Sequence, residues 1–78
     1  MVKVLFFAKL KEIIKEHSIH MDCVNIKEVC EKLKMIYPQA IDELSRCMIA
    51  VNENYVSDYS FALKTKDVIA LIPPVSGG

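Results

Sequence analysis

Two stretches of this chain are apolar on both faces of an extended strand, and they stand near its opposite ends: KVLFF at Lys3–Phe7 and VIALI at Val68–Ile72. Side chains alternate along a strand, so Val2, Val4 and Phe6 share one face and Lys3, Leu5 and Phe7 the other. A strand with large apolar groups on both sides suits the middle of a sheet, one face on a core and the other partly covered or offered to a partner. The first and last strands are therefore expected as central neighbours, which forces the chain between them to supply the flanking strands and the cover.

The intervening residues alternate between periods. AKLKEIIKEH places Leu10, Ile13 and Ile14 on one helical stripe, and SIHMDC returns to alternation with Ile19, Met21 and Cys23 inward. VNIKEV carries a helix start: Asn25 as cap, Glu28 three residues on to close a capping box, and Val24 with Val29 as a hydrophobic staple. The helix puts Ile26, Val29, Cys30, Leu33 and Ile36 on its inner stripe and stops at Tyr37, before Pro38. QAIDEL adds a helical turn with Ile41 and Leu44 inward, CMIAVN a third strand, and YVS a short fourth. Asn52, Glu53 and Asn54 supply the turn between them without glycine, since Asn tolerates a left-handed backbone. SDYSF reads as irregular and ALKTKD as a turn. The order β-α-β-α-β-β-β, with paired first and last strands and one principal helix laid over the sheet, predicts an α+β fold, a β-grasp with a mixed sheet and a second short helix. Residues 1–78 form one domain, with 73–78 as a tail leaving the last strand.

Composition narrows the function. Ten basic and ten acidic side chains cancel, leaving no electrostatic footprint for nucleic acid. The apolar run after Lys3 is too short for a signal-peptide core or a membrane span, and the expected location is the cytoplasm. Cys23, Cys30 and Cys47 form no C-x-x-C pair; they read as small core residues of a reducing compartment, with a redox or persulfide-bearing cysteine as the sharper alternative. His17 and His20 lack a second ligand pair at metal-binding spacing and read as solvated.

The chain's only two glycines are Gly77 and Gly78, at the end of IPPVSGG. At a glycine usage of about 7%, a Gly-Gly end arises by chance in roughly one chain in two hundred, so either the tail is inert or the terminus is the working part. Pro73 and Pro74 end the strand and stiffen the start of the tail. The six residues past Ile72 span at most about 20 Å, enough for Val75, Ser76, Gly77 and Gly78 to thread a narrow channel and deliver one functional group, the α-carboxylate of Gly78. That group is ionised at neutral pH and must be activated, for example as an acyl-adenylate, before a sulfur or nitrogen nucleophile can attack. With no glycine elsewhere, neither a P-loop nor a G-x-G-x-x-G exists. The chain binds no cofactor of its own on this reading, and a partner uses the ATP.

The stretches VLFFA, AVN and IPPVSGG resemble the small, sulfur-carrying subunit of molybdopterin synthase, and the likeness runs from the first strand to the end. The Pro-Pro-Val-Ser-Gly-Gly ending is its specific part. The resemblance implies a ubiquitin-like β-grasp protein whose Gly78 is adenylated by a ubiquitin-activating-type adenylyltransferase, converted to a thiocarboxylate with sulfur from a persulfide donor, and inserted into the large subunit's active site. There it gives sulfur to cyclic pyranopterin monophosphate to build molybdopterin, two carriers serving each substrate. It further implies a non-catalytic carrier within a heterotetramer of two small and two large subunits, and apolar contacts to partners through Phe7, Tyr55 and Ile72, for which filling a second small cluster is the alternative. The chain departs from the family pattern in having Ile72 rather than an aromatic residue before Pro-Pro, Lys66 where a turn glycine is common, and about one extra residue in NENYVSDYSFALK. Carriers of thiamine, cysteine or tRNA thiolation, a ubiquitin-like protein modifier, and a plain binding module with an inert tail are the competing readings.

Overall fold

The computed structural model of the chain describes residues 1–74. It contains β1 (Val2–Phe6), α1 (Ala8–Ile14), β2 (Ser18–Met21), α2 (Ile26–Ile36), a 3₁₀ turn (Pro38–Ala40), α3 (Ile41–Arg46), β3 (Met48–Val51), β4 (Asn54–Tyr55) and β5 (Val68–Ile72). The strands form one mixed sheet in the order β2-β1-β5-β3-β4. β1 and β5 are its parallel central pair, with Val4 opposite Ile69 and Phe6 opposite Leu71; β2 and β3 flank them antiparallel. This is the β-grasp arrangement, reached because the two strands apolar on both faces take the positions where both faces can be used.

All helices lie on one face. Val2, Val4 and Phe6 of β1, Ile49 and Val51 of β3, and Ile69 and Leu71 of β5 pack there against Leu10 and Ile14 of α1, Ile26, Val29 and Leu33 of α2, and Leu44 of α3. No charged or polar side chain is buried among the described residues. Burial of each such aliphatic side chain stabilises by about 1.5–3 kcal/mol, so this layer holds the domain together.

The α2 start is built from the residues expected, with one shift. The Asn25 side chain accepts a hydrogen bond from the Glu28 N–H (2.9 Å), while the Glu28 carboxylate accepts from the N–H of Val24 (3.2 Å) rather than that of Asn25. Val24 is exposed and makes no staple with the buried Val29; the loop before β5 secures this end instead. The N–H groups of Ile26 and Lys27 donate to the carbonyls of Phe61 and Tyr59, and the N–H of Leu63 donates to the Val24 carbonyl. The first-turn donors that a helix leaves open are satisfied by residues far along the chain.

Three inward assignments change. Ile36 is exposed, and Tyr37, one residue on, packs against the core with its ring edge-on to Phe6 at 6.1 Å. Pro38 ends the helical geometry, so the side chain of Tyr37 is turned inward as the chain leaves α2. Ile41 is exposed as well; the small Ala40 at the end of the 3₁₀ turn is fully buried where the chain passes close beneath, and Leu44 is inward as expected. Cys30 is only half-buried, at the margin of the α2 stripe. The fourth strand starts at Asn54, one residue before the stretch expected.

The glycine-free turns are made by residues in the left-handed region: Asn52 (φ 49°) and Glu53 (φ 72°) between β3 and β4, Lys66 (φ 78°) before β5, Lys15 (φ 67°) after α1, and Ala8 (φ 51°) at the first position of α1. Such a backbone costs a residue with a Cβ roughly 1–2 kcal/mol. Asn52 offsets this: its side-chain Oδ1 accepts from the Val68 N–H (2.9 Å), its Nδ2 donates to Asp67 (3.0 Å), and its own N–H donates to the Val68 carbonyl (2.8 Å). The β3–β4 turn is thereby tied to the first residue of β5.

Candidate functional site

Among the described residues, none covers the face of the sheet away from the helices. Its residues are set by the register: Leu5, Ala70 and Ala50 stand side by side across β1, β5 and β3, and Tyr55 continues the row on β4. One step along, Met48 is opposite Ile72, and Phe7 and Ile72 extend the register one residue beyond the Phe6–Leu71 pair. Small alanines in the middle and large groups around them leave a shallow groove of about 580 Å³, lined among others by Leu5, Phe7, Ala70, Ile72, Val68 and Tyr55. Phe7 is 43% exposed and Tyr55 65%. Large apolar groups open to solvent on a contiguous surface mark an interaction site more often than a scattered few do.

The structure thus brings Phe7, Tyr55 and Ile72, three residues distant in sequence, onto one surface. Phe7 reaches it because its extended backbone (φ −127°, ψ 155°) keeps the strand alternation through the last residue before α1, and Ala8 then turns the chain away. Pro73, grouped with the tail from the sequence, is buried, and Pro74 is the first exposed residue past β5. Val75, Ser76, Gly77 and Gly78 lie outside the described residues. Met48, 53% exposed and on the same face, escapes the sequence reading; the signal is its two-residue spacing from Ala50, which places both on the face opposite Ile49 and Val51.

The cysteines show no sign of activation. Burial raises all three thiols above their ordinary value, Cys47 to about 11, and Cys47 donates to the Glu43 carbonyl. A neutral, buried thiol is a poor nucleophile. Among the described residues no group of three or more His, Cys, Asp or Glu side chains is placed to hold a metal ion. No helix among them is long and apolar enough to cross a membrane. The apolar face and the chain that leaves its edge at Ile72 are what remains for function.

Known proteins share this layout. A molybdopterin synthase sulfur carrier subunit of Dictyostelium discoideum is 43% identical, the match covering 97% of this chain and 94% of that protein. Among solved structures, the complex of subunits 1 and 2 of the molybdopterin-converting factor from Helicobacter pylori contains a chain 32% identical with a TM-score of 0.77, covering 99% of this chain and 97% of that one. The small archaeal modifier protein 1 of Methanosarcina acetivorans is 28% identical with a TM-score of 0.84, over 99% and 95% of the two chains. The ThiS family profile matches residues 4–78, nearly the whole chain including its Gly-Gly end. With that match over nearly its whole length and full-length relatives up to 43% identical, this chain belongs to the ThiS family.

Proposed function

We propose that this protein is the sulfur carrier subunit of a molybdopterin synthase, with the Gly78 carboxylate as the group that carries sulfur. One observation carries the reading: full-length likeness to a named sulfur carrier subunit in a chain whose only glycines close it as Pro-Pro-Val-Ser-Gly-Gly.

The chemistry starts from the carboxylate. Ionised and resonance-stabilised, it resists nucleophilic attack, and an activating adenylyltransferase couples it to AMP from ATP, releasing pyrophosphate. The terminal sulfur of a donor persulfide then attacks the acyl carbon and AMP departs. Reductive cleavage of the resulting acyl disulfide by a thiol leaves the thiocarboxylate. In the large subunit's pocket this sulfur passes to cyclic pyranopterin monophosphate and water restores the carboxylate. Two turns supply the two sulfurs of the dithiolene, as a heterotetramer with two small subunits provides. The chain itself contributes position rather than catalysis. Pro73 and Pro74 hold the start of the tail extended, Val75 and Ser76 add reach, and Gly77 and Gly78 present no side chain to obstruct a channel. Phe7, Tyr55 and Ile72 serve as the apolar contacts that seat the domain on its partners.

Intact mass after incubation with the activating enzyme, ATP and a persulfide donor tests this. The expected result is a gain equal to exchange of one oxygen for sulfur, absent when Gly78 is deleted; no gain while ATP remains intact overturns the reading. The likeness to a small archaeal modifier protein supports a second reading, attachment of Gly78 to lysines of other proteins, for which isopeptide conjugates in cells are the signature.

A further inference from the structure

The groove is not the only hollow among the described residues. Beyond Tyr55, at the β3–β4 margin of the sheet, lies a second hollow of about 290 Å³ lined by Cys47, Met48, Ile49, Tyr55, Val56 and Tyr59 among others. Tyr55 lines both hollows. Met48 forms part of the second hollow and is the cross-strand partner of Ile72, the last residue of the strand from which the tail departs. Phe7 stands on the other side of Ile72. The row Phe7–Ile72–Met48 therefore spans the sheet at the point where the chain leaves it.

That position limits what can cover the row. A tail of six residues past Ile72 reaches at most about 20 Å, and its first residue, Pro73, is still buried in the domain. A partner whose pocket takes the end of the tail must bring the rim of that pocket close to the residues around the exit, on both sides of Ile72. Met48 suits such a contact: it is more than half exposed, unbranched and polarizable, and able to adapt its shape to an apolar neighbour. The core gains little from it, since its strand neighbours Ile49 and Val51 face the helices.

From this geometry we infer that Met48 is a specificity-determining contact for the large synthase subunit, and that the hollow beyond Tyr55 receives an apolar side chain from the rim of that subunit's pocket. This rests on the sulfur-carrier reading and deepens it by extending the docking surface past Phe7, Tyr55 and Ile72 to the β3–β4 margin.

The test compares Met48→Lys with Met35→Lys, whose site on α2 is a still more exposed methionine (82%) on the helical side of the domain. Affinity for the purified large subunit is measured by calorimetry, with melting temperature as the check on folding. Met48→Lys is expected to weaken binding about tenfold or more, equivalent to about 1.4 kcal/mol, with Met48→Leu restoring most of it. Met35→Lys binds as the unaltered chain does, and all variants melt alike. Equal affinities for Met48→Lys and Met35→Lys, with the unaltered chain binding, overturn this inference and leave the carrier reading standing. A Met48→Lys chain that binds normally but is no longer thiocarboxylated assigns the contact to the activating enzyme and also overturns it, as does a self-association of the chain that Met48→Lys abolishes. Absence of binding by the unaltered chain overturns both readings together.

Discussion

The two faces of the sheet are made from the same strands and nearly the same residue types, yet among the described residues only one of them is covered. On one, Val2, Val4, Phe6, Ile49, Val51, Ile69 and Leu71 are shut beneath three helices. On the other, Leu5, Phe7, Ala70, Ile72, Met48 and Tyr55 carry comparable apolar groups that none of the described residues covers. A chain of 78 residues has enough helix to cover one face only, and small domains bury a limited share of their surface. The apolar character of the second face is then not needed for folding, and the surplus is what a partner can use. The change from one face to the other takes a single residue at the end of β1, from the buried Phe6 to the exposed Phe7.

Substitutions on the two faces should accordingly fail in different assays. The largest effect belongs to the covered face: Leu33→Ala is expected to lower unfolding free energy by about 2–5 kcal/mol, while the fraction still folded binds the large subunit with unchanged affinity. Denaturant titration and calorimetry read the two quantities, and a parallel loss of affinity breaks the comparison. Next, Phe7→Ala on the open face should reverse the pattern, weakening large-subunit binding by about 2 kcal/mol, as a central aromatic contact does, with stability changed by less than about 1 kcal/mol. Asn25→Ala removes the acceptor for the Glu28 N–H and should cost about 1 kcal/mol of stability without touching binding, because the cap lies on the helical side. Lys66→Gly should move stability the other way, by up to about 1 kcal/mol, relieving a left-handed backbone at φ 78°.

Acid and alkaline stability give the smallest and finest distinctions. The carboxyl of Asp67 is held below its ordinary value by hydrogen bonds from the Lys64 N–H and the Asn52 side chain. A carboxylate depressed in the folded state stabilises above its unfolded pKa and loses that contribution as pH falls through the folded value, so Asp67→Asn should flatten the acid limb of the stability curve slightly. Cys47 behaves in the opposite sense. Its thiol is raised from 9.0 to about 11 by burial and by Glu43, so the folded state holds the proton longer than the unfolded chain and stability declines as pH rises from 9 toward 11. Cys47→Ala should lessen that decline, leaving the share that the raised thiols of Cys23 and Cys30 contribute.

Much of the contrast between the faces is legible in the order of residues. Alternation in Val2–Phe7 and in Val68–Ile72 names both faces, and the absence of glycine points to Asn52 and Lys66 as the residues bearing turns. The assignments that escape are those that depend on where an element stops. Helical spacing places Ile36 inward, but Pro38 breaks the spacing and Tyr37 fills the position. Size favours Ile41 over Ala40, yet it is Ala40, at the end of the 3₁₀ turn, that is buried. The staple at Val24 is displaced by the pairing with Leu63, a long-range contact that leaves no local trace. Phe7 is legible as an outward residue; that Met48 joins it requires the register of β3 on β5, which neither strand specifies alone.

The most direct test of sulfur delivery from Gly78 is a single-turnover reaction of the thiocarboxylated chain with the large subunit and cyclic pyranopterin monophosphate, read by the intact mass of the carrier and the amount of dithiolene product. The carrier is predicted to return to the carboxylate mass as product forms, with two carriers consumed per product. A thiocarboxylate that persists through the reaction, or discharges without product while a different sulfur acceptor consumes it, would contradict the assignment to molybdopterin synthesis.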